Sequence, residues 1–391
     1  MMFWSAVWGL AAVCSVNSLF AGDSCMSDND PGQCSLLEEC QHLREEIRRA
    51  GTPMPTHLRK KLQKLACGFE ASRPLVCCVT NNRIADMTPP PENDDKNDNN
   101  VNGNIADQPV DVSGHRNLKL LPEECGFLES DRVFGGNRTR LYQMPWMVLI
   151  VYDSPRGQRL SCGGTLINEW YVLTAAHCVT FLGKRLTLQA VRLGEHDTRQ
   201  DPDCERLEGQ LTCAPAVWNV SIASAIPHPG YTRQTLFDDI ALIRLSRAAD
   251  FNLDTMKPMC LPSTPELQRE NLVGKDGLVA GWGATEDGLQ SPVLLSVEIP
   301  VVSNDDCQVV YNGNPRIYPK QLCAGGVEDR DACGGDSGGP LLYPGRTAVG
   351  TRYVQRGIVS YGSKRCGIGG FPGVYTNVAY YMDWILDNMR P

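Results

Sequence analysis

Seventeen cysteines in 391 residues constrain this chain more than any other feature, because every bridge fixes a distance that the fold must accommodate. An odd count cannot close completely. The chain opens with an apolar run from Phe3 to Val13, followed by small residues from Ser15 to Gly22, the pattern of a secretory signal peptide over 1–21. Its removal takes away Cys14 and leaves 16 cysteines, enough for eight bridges and an oxidising, extracellular compartment. The run is too short to span a bilayer and polar, cysteine-rich sequence follows at once, so no membrane segment is expected. In that compartment the sequons at Asn137 and Asn219 become usable for glycosylation.

The cysteines are unevenly spread. Six of them, at 25, 34, 40, 67, 77 and 78, fall within residues 25–78, a segment too small to bury enough apolar surface without bridges. Six cysteines allow 15 connectivities. Cys77 and Cys78 are adjacent, so in an extended strand they point to opposite faces and reach different partners. Leu36 to Arg49 and Pro55 to Leu65 read as helical, with Leu58, Leu62 and Leu65 recurring on one face. The basic run Arg59, Lys60, Lys61 and Lys64 reads as a solvated helix face, with a docking patch for an acidic partner as the alternative.

Residues 79–124 change character: Pro89-Pro90-Pro91 precedes a stretch of Glu, Asn, Asp and Lys with hardly any large apolar residue. Such a composition cannot offset the entropy of folding, and it predicts a disordered acidic linker. Much of the formal net charge of -8 sits there, a balance that argues against a nucleic-acid partner. From Val133 onward, short apolar or alternating runs, among them Met147 to Tyr152, Tyr171 to Thr174 and Ile240 to Leu245, are punctuated by turn residues. This predicts an all-β barrel or sandwich closed by one helix at Tyr380 to Met389.

Within that β region, Asp331-Ala332-Cys333-Gly334-Gly335-Asp336-Ser337-Gly338-Gly339-Pro340 surrounds one serine with turn residues and little side-chain bulk. A serine hydroxyl is a weak nucleophile unless a base and an orienting acid are supplied. Thr174-Ala175-Ala176-His177-Cys178 places a histidine at the end of an apolar strand. Asp238-Asp239-Ile240-Ala241-Leu242 places an acid at the start of a buried strand, where an unpaired carboxylate is costly. The chain order His, Asp, Ser is that of the chymotrypsin type.

On these motifs, residues 133–391 resemble the trypsin-like serine proteases, and the six-cysteine module resembles the clip domain that precedes such proteases in arthropod cascade zymogens. The resemblance implies a two-barrel, chymotrypsin-like protease domain with a C-terminal helix. It implies Ser337 as nucleophile, His177 as general base and Asp239 as its orienting acid, with Asp238 a solvated neighbour. The N–H groups of Gly335 and Ser337 would form the oxyanion hole. Asp331, walled by Gly362 and Gly373, would receive a cationic P1 side chain, giving cleavage after Arg or Lys. Cleavage between Arg132 and Val133 would free an α-ammonium to pair with Asp336, so the chain reads as a zymogen activated by another trypsin-like protease.

The same likeness implies the bridges Cys25–Cys77, Cys34–Cys67, Cys40–Cys78, Cys125–Cys260, Cys162–Cys178, Cys307–Cys323 and Cys333–Cys366, leaving Cys204 to pair with Cys213. Catalysis of this type requires no cofactor. The loop from Leu193 to Asp203 is similar to the calcium loop of trypsins, which suggests a structural calcium at Glu195 and Asp203. Pro372 stands where sodium-activated relatives carry tyrosine, so no sodium switch is expected. The implied role is a secreted cascade endopeptidase of hemolymph, cutting prophenoloxidase or a Toll-ligand precursor and controlled by a serpin. Two alternatives are a non-catalytic clip-domain adaptor, which typically lacks the nucleophile, and a digestive trypsin, for which a tether and disulfide module have no use.

Overall fold

The computed structural model describes residues 24–27, 30–37, 39–50, 58, 61–62, 65–70, 73–79, 108–128, 137–183, 185–207, 209–284, 289–311, 313, 315–327, 336–362 and 369–391. The expected signal peptide, most of the expected linker, Arg132, Val133, Asp331, Cys333, Gly335 and Cys366 lie outside the described residues. The chain divides into two compact units, Met1–Val101 and Asn102–Pro391. No helix among the described residues is long and apolar enough to cross a membrane.

In the smaller unit, strands β1 (Ser24–Ser27), β2 (Asp30–Leu36), β3 (Ala66–Glu70) and β4 (Arg73–Val79) form an antiparallel sheet in the order β1-β2-β4-β3. Its buried cluster joins Cys25, Cys34, Cys40 and Cys77 to Leu43, Leu65 and Val76, so bridges supply much of a core that apolar side chains alone could not. Successive side chains of β4 face opposite ways, and Cys77 is bonded to Cys25 while Cys78 is bonded to Cys40. The helix expected from Leu36 starts only at Gln41 and runs to Ala50. Residues up to Leu36 instead extend β2, where Cys34 opposes Cys77 and Leu36 opposes Leu75; ladder pairing overrides local helical periodicity there. Lys61 of the basic run pairs with Glu46 at 2.7 Å inside this unit.

The larger unit begins with an unexpected anchor. Residues 108–124, read as part of a disordered linker, are folded onto the protein. Val112 is buried in the main core cluster, against which Leu118, Leu120 and Leu121 pack. Asn117 Nδ2 donates to Leu386 O at 2.8 Å, Asn168 Nδ2 to Leu120 O at 3.1 Å and Gln268 Nε2 to Val110 O at 2.9 Å. These few apolar residues were submerged in an acidic average, and their surface is covered by residues far along the chain.

After a short edge strand β5 (Asn137–Arg138), six strands close into a first barrel: β6 (Met147–Ser154), β7 (Gly157–Leu166), β8 (Tyr171–Thr174), β9 (Thr187–Leu193) and, beyond a small hairpin β10 (Cys204–Leu207) and β11 (Gln210–Cys213), β12 (Trp218–Pro227) and β13 (Ala241–Leu245). The order is β12-β13-β8-β7-β6-β9. A second ring comprises β14 (Asp276–Gly281), β15 (Leu295–Val302), β16 (Gln321–Gly325), β17 (Pro340–Thr347), β18 (Gly350–Tyr361) and β19 (Pro372–Asn377), closed by the pairing of β14 with β15, to which β5 adds an edge.

The continuous apolar run in β6 follows from burial on both faces. Val148 and Ile150 enter the first barrel's core, whereas Met147 and Leu149 pack with Trp282, Leu294 and Leu342 of the second. A buried hydrogen bond from Thr165 Oγ1 to Gln355 Oε1, 2.6 Å, also crosses between the barrels. The C-terminal segment forms a 3-10 turn, Val378–Tyr381, and the helix Met382–Asn388. Met382, Ile385, Leu386 and Met389 return to the first barrel's core, so the C-terminal helix packs on the first barrel. Bridges join Cys125 to Cys260, Cys162 to Cys178, Cys204 to Cys213 and Cys307 to Cys323.

Candidate active site

The pairing of Ala241 with Thr174 sets the geometry of the candidate site, because it aligns the start of β13 with the end of β8. Asp239 lies two residues before the first of these and His177 three residues after the second, on the short helix Ala176–Val179. Their side chains meet: His177 Nδ1 is 2.7 Å from Asp239 Oδ2. The other carboxylate oxygen accepts the backbone N–H of His177 at 2.9 Å. Asp239 is only 1% exposed, a placement a carboxylate tolerates when donors surround it.

The second barrel supplies one of those donors and a second one to the Asp239 main chain. Ser360 Oγ, near the end of β18, donates to Asp239 Oδ2 at 2.5 Å, and Thr376 Oγ1 of β19 donates to the Asp239 carbonyl at 2.7 Å. Neither hydroxyl was singled out from the sequence. Ser360 closes an apolar strand like many serines, and only the register across the barrel interface aims it at Asp239.

Ser337 precedes β17 and is tied to the histidine loop through backbone. Its carbonyl accepts Gly163 N–H at 2.8 Å, and Gly163 follows Cys162, which is bonded to Cys178 beside His177. The next residue, Gly338, has φ +79° and lies so close to Thr174 Oγ1 and the Gly163 carbonyl that a Cβ would collide with both. Glycine is required there on two counts. The Gly338 N–H donates to Val359 O and Val359 N–H to Gly339 O, each at 2.9 Å, fastening the serine turn to β18. Motifs far apart in the chain thus converge at the junction of the barrels.

Asp336 accepts Gly283 N–H at 2.8 Å, and its carboxylate fills a space that a Cβ on Gly281 or Gly283 would invade. Gly362 follows β18 and Gly373 lies in β19, close enough that a Cβ on the first would sit 3.5 Å from the Cα of the second. The structure corrects one reading outright. Asp238 is not a solvated neighbour: its Oδ1 accepts Tyr381 OH at 2.8 Å, and Lys320 Nζ and His228 Nδ1 lie 3.7 and 3.6 Å from its two oxygens.

Cys162, His177 and Cys178 lie close enough together to suggest a metal centre, but both sulfurs are consumed by their mutual bridge and neither is a thiolate. Glu195 and Asp203 are different. Glu195 Oε2 takes Arg192 Nη1 at 3.1 Å while its Oε1 is buried without a hydrogen-bond partner. Burial, and then the nearby Asp203 charge, push the Glu195 carboxyl up to about 7. Asp203 accepts the N–H groups of His196 and Asp197 at 2.8 and 3.2 Å, and burial raises it too. A cation on Glu195 Oε1 would satisfy that oxygen and offset the repulsion, so these residues fit calcium. Asn219, the second sequon, is exposed on β12.

Comparison with known proteins places this geometry. Residues 133–385 match the family model Trypsin, and residues 25–78 match the regulatory CLIP domain of proteinases. CLIP domain-containing serine protease HP8 of Bombyx mori is 39% identical over 96% of this chain and 95% of its own length. The Spaetzle-processing enzyme of Drosophila melanogaster is 37% identical over 93% and 90%, and phenoloxidase-activating enzyme 1 of Spodoptera litura 38% identical over 90% and 89%. The crystal structure of the Drosophila Grass clip serine protease of the Toll pathway superposes with a TM-score of 0.61 at 34% identity, covering 95% of this chain and 98% of that one. With its two closed barrels and a disulfide-rich module before them, the chain belongs to the CLIP-domain serine proteases of the trypsin family and is a serine endopeptidase.

Proposed function

We propose that this protein is a secreted zymogen, activated by cleavage between Arg132 and Val133, that cuts protein precursors after Arg or Lys in an extracellular proteolytic cascade. The observation that carries the reading is the buried Asp239, which holds His177 by ring and backbone together and is itself held by Ser360. With the proton on Nδ1, the other ring nitrogen is the base for Ser337. Ser337 Oγ attacks the scissile carbonyl, His177 takes its proton, and Gly335 and Ser337 N–H groups receive the oxyanion. His177 then protonates the leaving amine, and water repeats the sequence on the acyl-enzyme.

Asp331 selects the cationic side chain, since an apolar one would leave that carboxylate unpaired. The freed Val133 ammonium pairs with Asp336 and completes the serine loop. Relatives named for processing Spaetzle and for activating phenoloxidase support a protein precursor as substrate; a trypsin-like activator upstream and a serpin inhibitor complete the proposal. Calcium would be held by Glu195 and Asp203 and would stabilise the loop without entering the chemistry. Saturating calcium then raises the unfolding temperature of the wild type and leaves that of Glu195→Gln unchanged.

The deciding experiment cuts the purified chain at Arg132 with an external trypsin-like protease and follows hydrolysis of an arginyl amide. Turnover that vanishes in Ser337→Ala supports the reading. A fully processed wild type with no turnover overturns it.

A further inference from the structure

The Asp239 carboxylate must meet three donors at once and its carbonyl a fourth, so its backbone has little latitude. It sits at the centre of a three-residue turn in which Ile240 N–H donates to the Asp238 carbonyl at 2.8 Å. Asp238 opens that turn with φ +52°, a left-handed conformation that an L-residue adopts only at a cost. Something must hold it there. Its carboxylate accepts Tyr381 OH at 2.8 Å from a ring that is 1% exposed, and it packs so tightly over Gly230 that a Cβ there would strike Oδ2. Lys320 Nζ lies 3.7 Å from Oδ1 and also caps the Tyr381 ring at 5.1 Å. His228, 3.6 Å from Oδ2, is wedged against the rings of Tyr381 and Trp384, and burial keeps its pKa below the ordinary value.

These partners come from different parts of the fold. Gly230 and His228 follow β12 of the first barrel, Lys320 immediately precedes β16 of the second, and Tyr381 leads into the C-terminal helix. We propose that Asp238 is a positioning residue for proteolysis: its carboxylate pins the left-handed turn that presents Asp239 to His177, and it draws both barrels and the C-terminal segment onto that one peptide. The inference rests on the catalytic reading of His177, Asp239 and Ser337. Displacements of about 1 Å in such arrays cost on the order of a hundredfold in rate, which makes the anchor a kinetic element as well as a packing one.

The test measures kcat and KM of the activated full-length protein on an arginyl amide, with rates expressed per site by active-site titration so that unfolded molecules do not count. Asp238→Ala is expected to lower kcat roughly 10- to 100-fold with KM within about twofold. Asp238→Asn keeps an acceptor for Tyr381 and tolerates the left-handed conformation, so it recovers kcat to within about threefold of wild type. Tyr381→Phe lowers kcat several-fold, and combining it with Asp238→Ala adds little, as coupled partners require. An Asp238→Ala enzyme within twofold of wild-type kcat, or an Asp238→Asn enzyme no better than it, overturns the proposal. If Asp238→Ala does not fold, wild-type kcat in Tyr381→Phe overturns it instead. A wild type without turnover refutes the catalytic reading itself, so the two failures are distinguishable.

Discussion

Gly338 and Ser360 show how single residues divide the work at the barrel junction. Gly338→Ala adds a Cβ into Thr174 and the Gly163 carbonyl at φ +79°, and we expect it to lower stability by at least about 2 kcal/mol in urea unfolding. Gly157→Ala is the control: φ is +101° but nothing lies within 4 Å of the new Cβ, so only the conformational cost of about 1 kcal/mol remains. Ser360→Ala removes one donor from the buried Asp239 and is expected to cut kcat/KM roughly tenfold, read on the same arginyl amide, and to lower stability by about 1–3 kcal/mol in urea unfolding. At this scale the sequence was legible where chemistry needs a distinctive neighbourhood. His177, Asp239 and Ser337 stand in marked motifs, whereas Ser360 and Thr376 are ordinary hydroxyls made relevant by strand register. Asp238 was misread because adjacent acids look alike in sequence, and only packing tells which of them is clasped by Tyr381.

Among the elements, strands announced themselves better than connections. The apolar runs starting at Met147, Tyr171 and Ile240 became β6, β8 and β13, since burial on both faces leaves an unbroken apolar signal. The segment 108–124 did not, because its anchors are sparse and its covering surface lies near the other end of the chain. That segment is testable. Asn117→Ala loses the donor to the Leu386 and Met389 carbonyls, and calorimetry should find the unfolding temperature lower by about 2–4 °C, equivalent to about 1 kcal/mol. An unchanged transition would mean that these two bonds contribute no stability. The helix expected from Leu36 starts five residues late for a related reason: Leu36 pairs with Leu75 across a sheet whose partner strand, Arg73–Val79, is distant in sequence, and a turn separates it from Gln41.

For the whole molecule, the bridge between Cys125 and Cys260 has a consequence for activation. Cleavage after Arg132 would leave the clip module covalently attached, so the activated protein should run as one band without reductant and as two with it. Arg132→Gln should abolish both the cut and the turnover; maturation at Val133 in that variant would refute the zymogen reading. The all-β character, the division into a disulfide module and a larger β unit, and the chain order of histidine, aspartate and serine were determined by the sequence alone. Each depends on local composition, cysteine number or short motifs that carry their meaning wherever they fold. Only the tertiary structure decided which hydroxyls hold Asp239, that Asp238 is clasped between both barrels, and that residues 108–124 are folded. Those outcomes depend on barrel closure and on β18, β19 and the C-terminal helix meeting residues more than a hundred positions earlier, a matter of packing that no local pattern encodes.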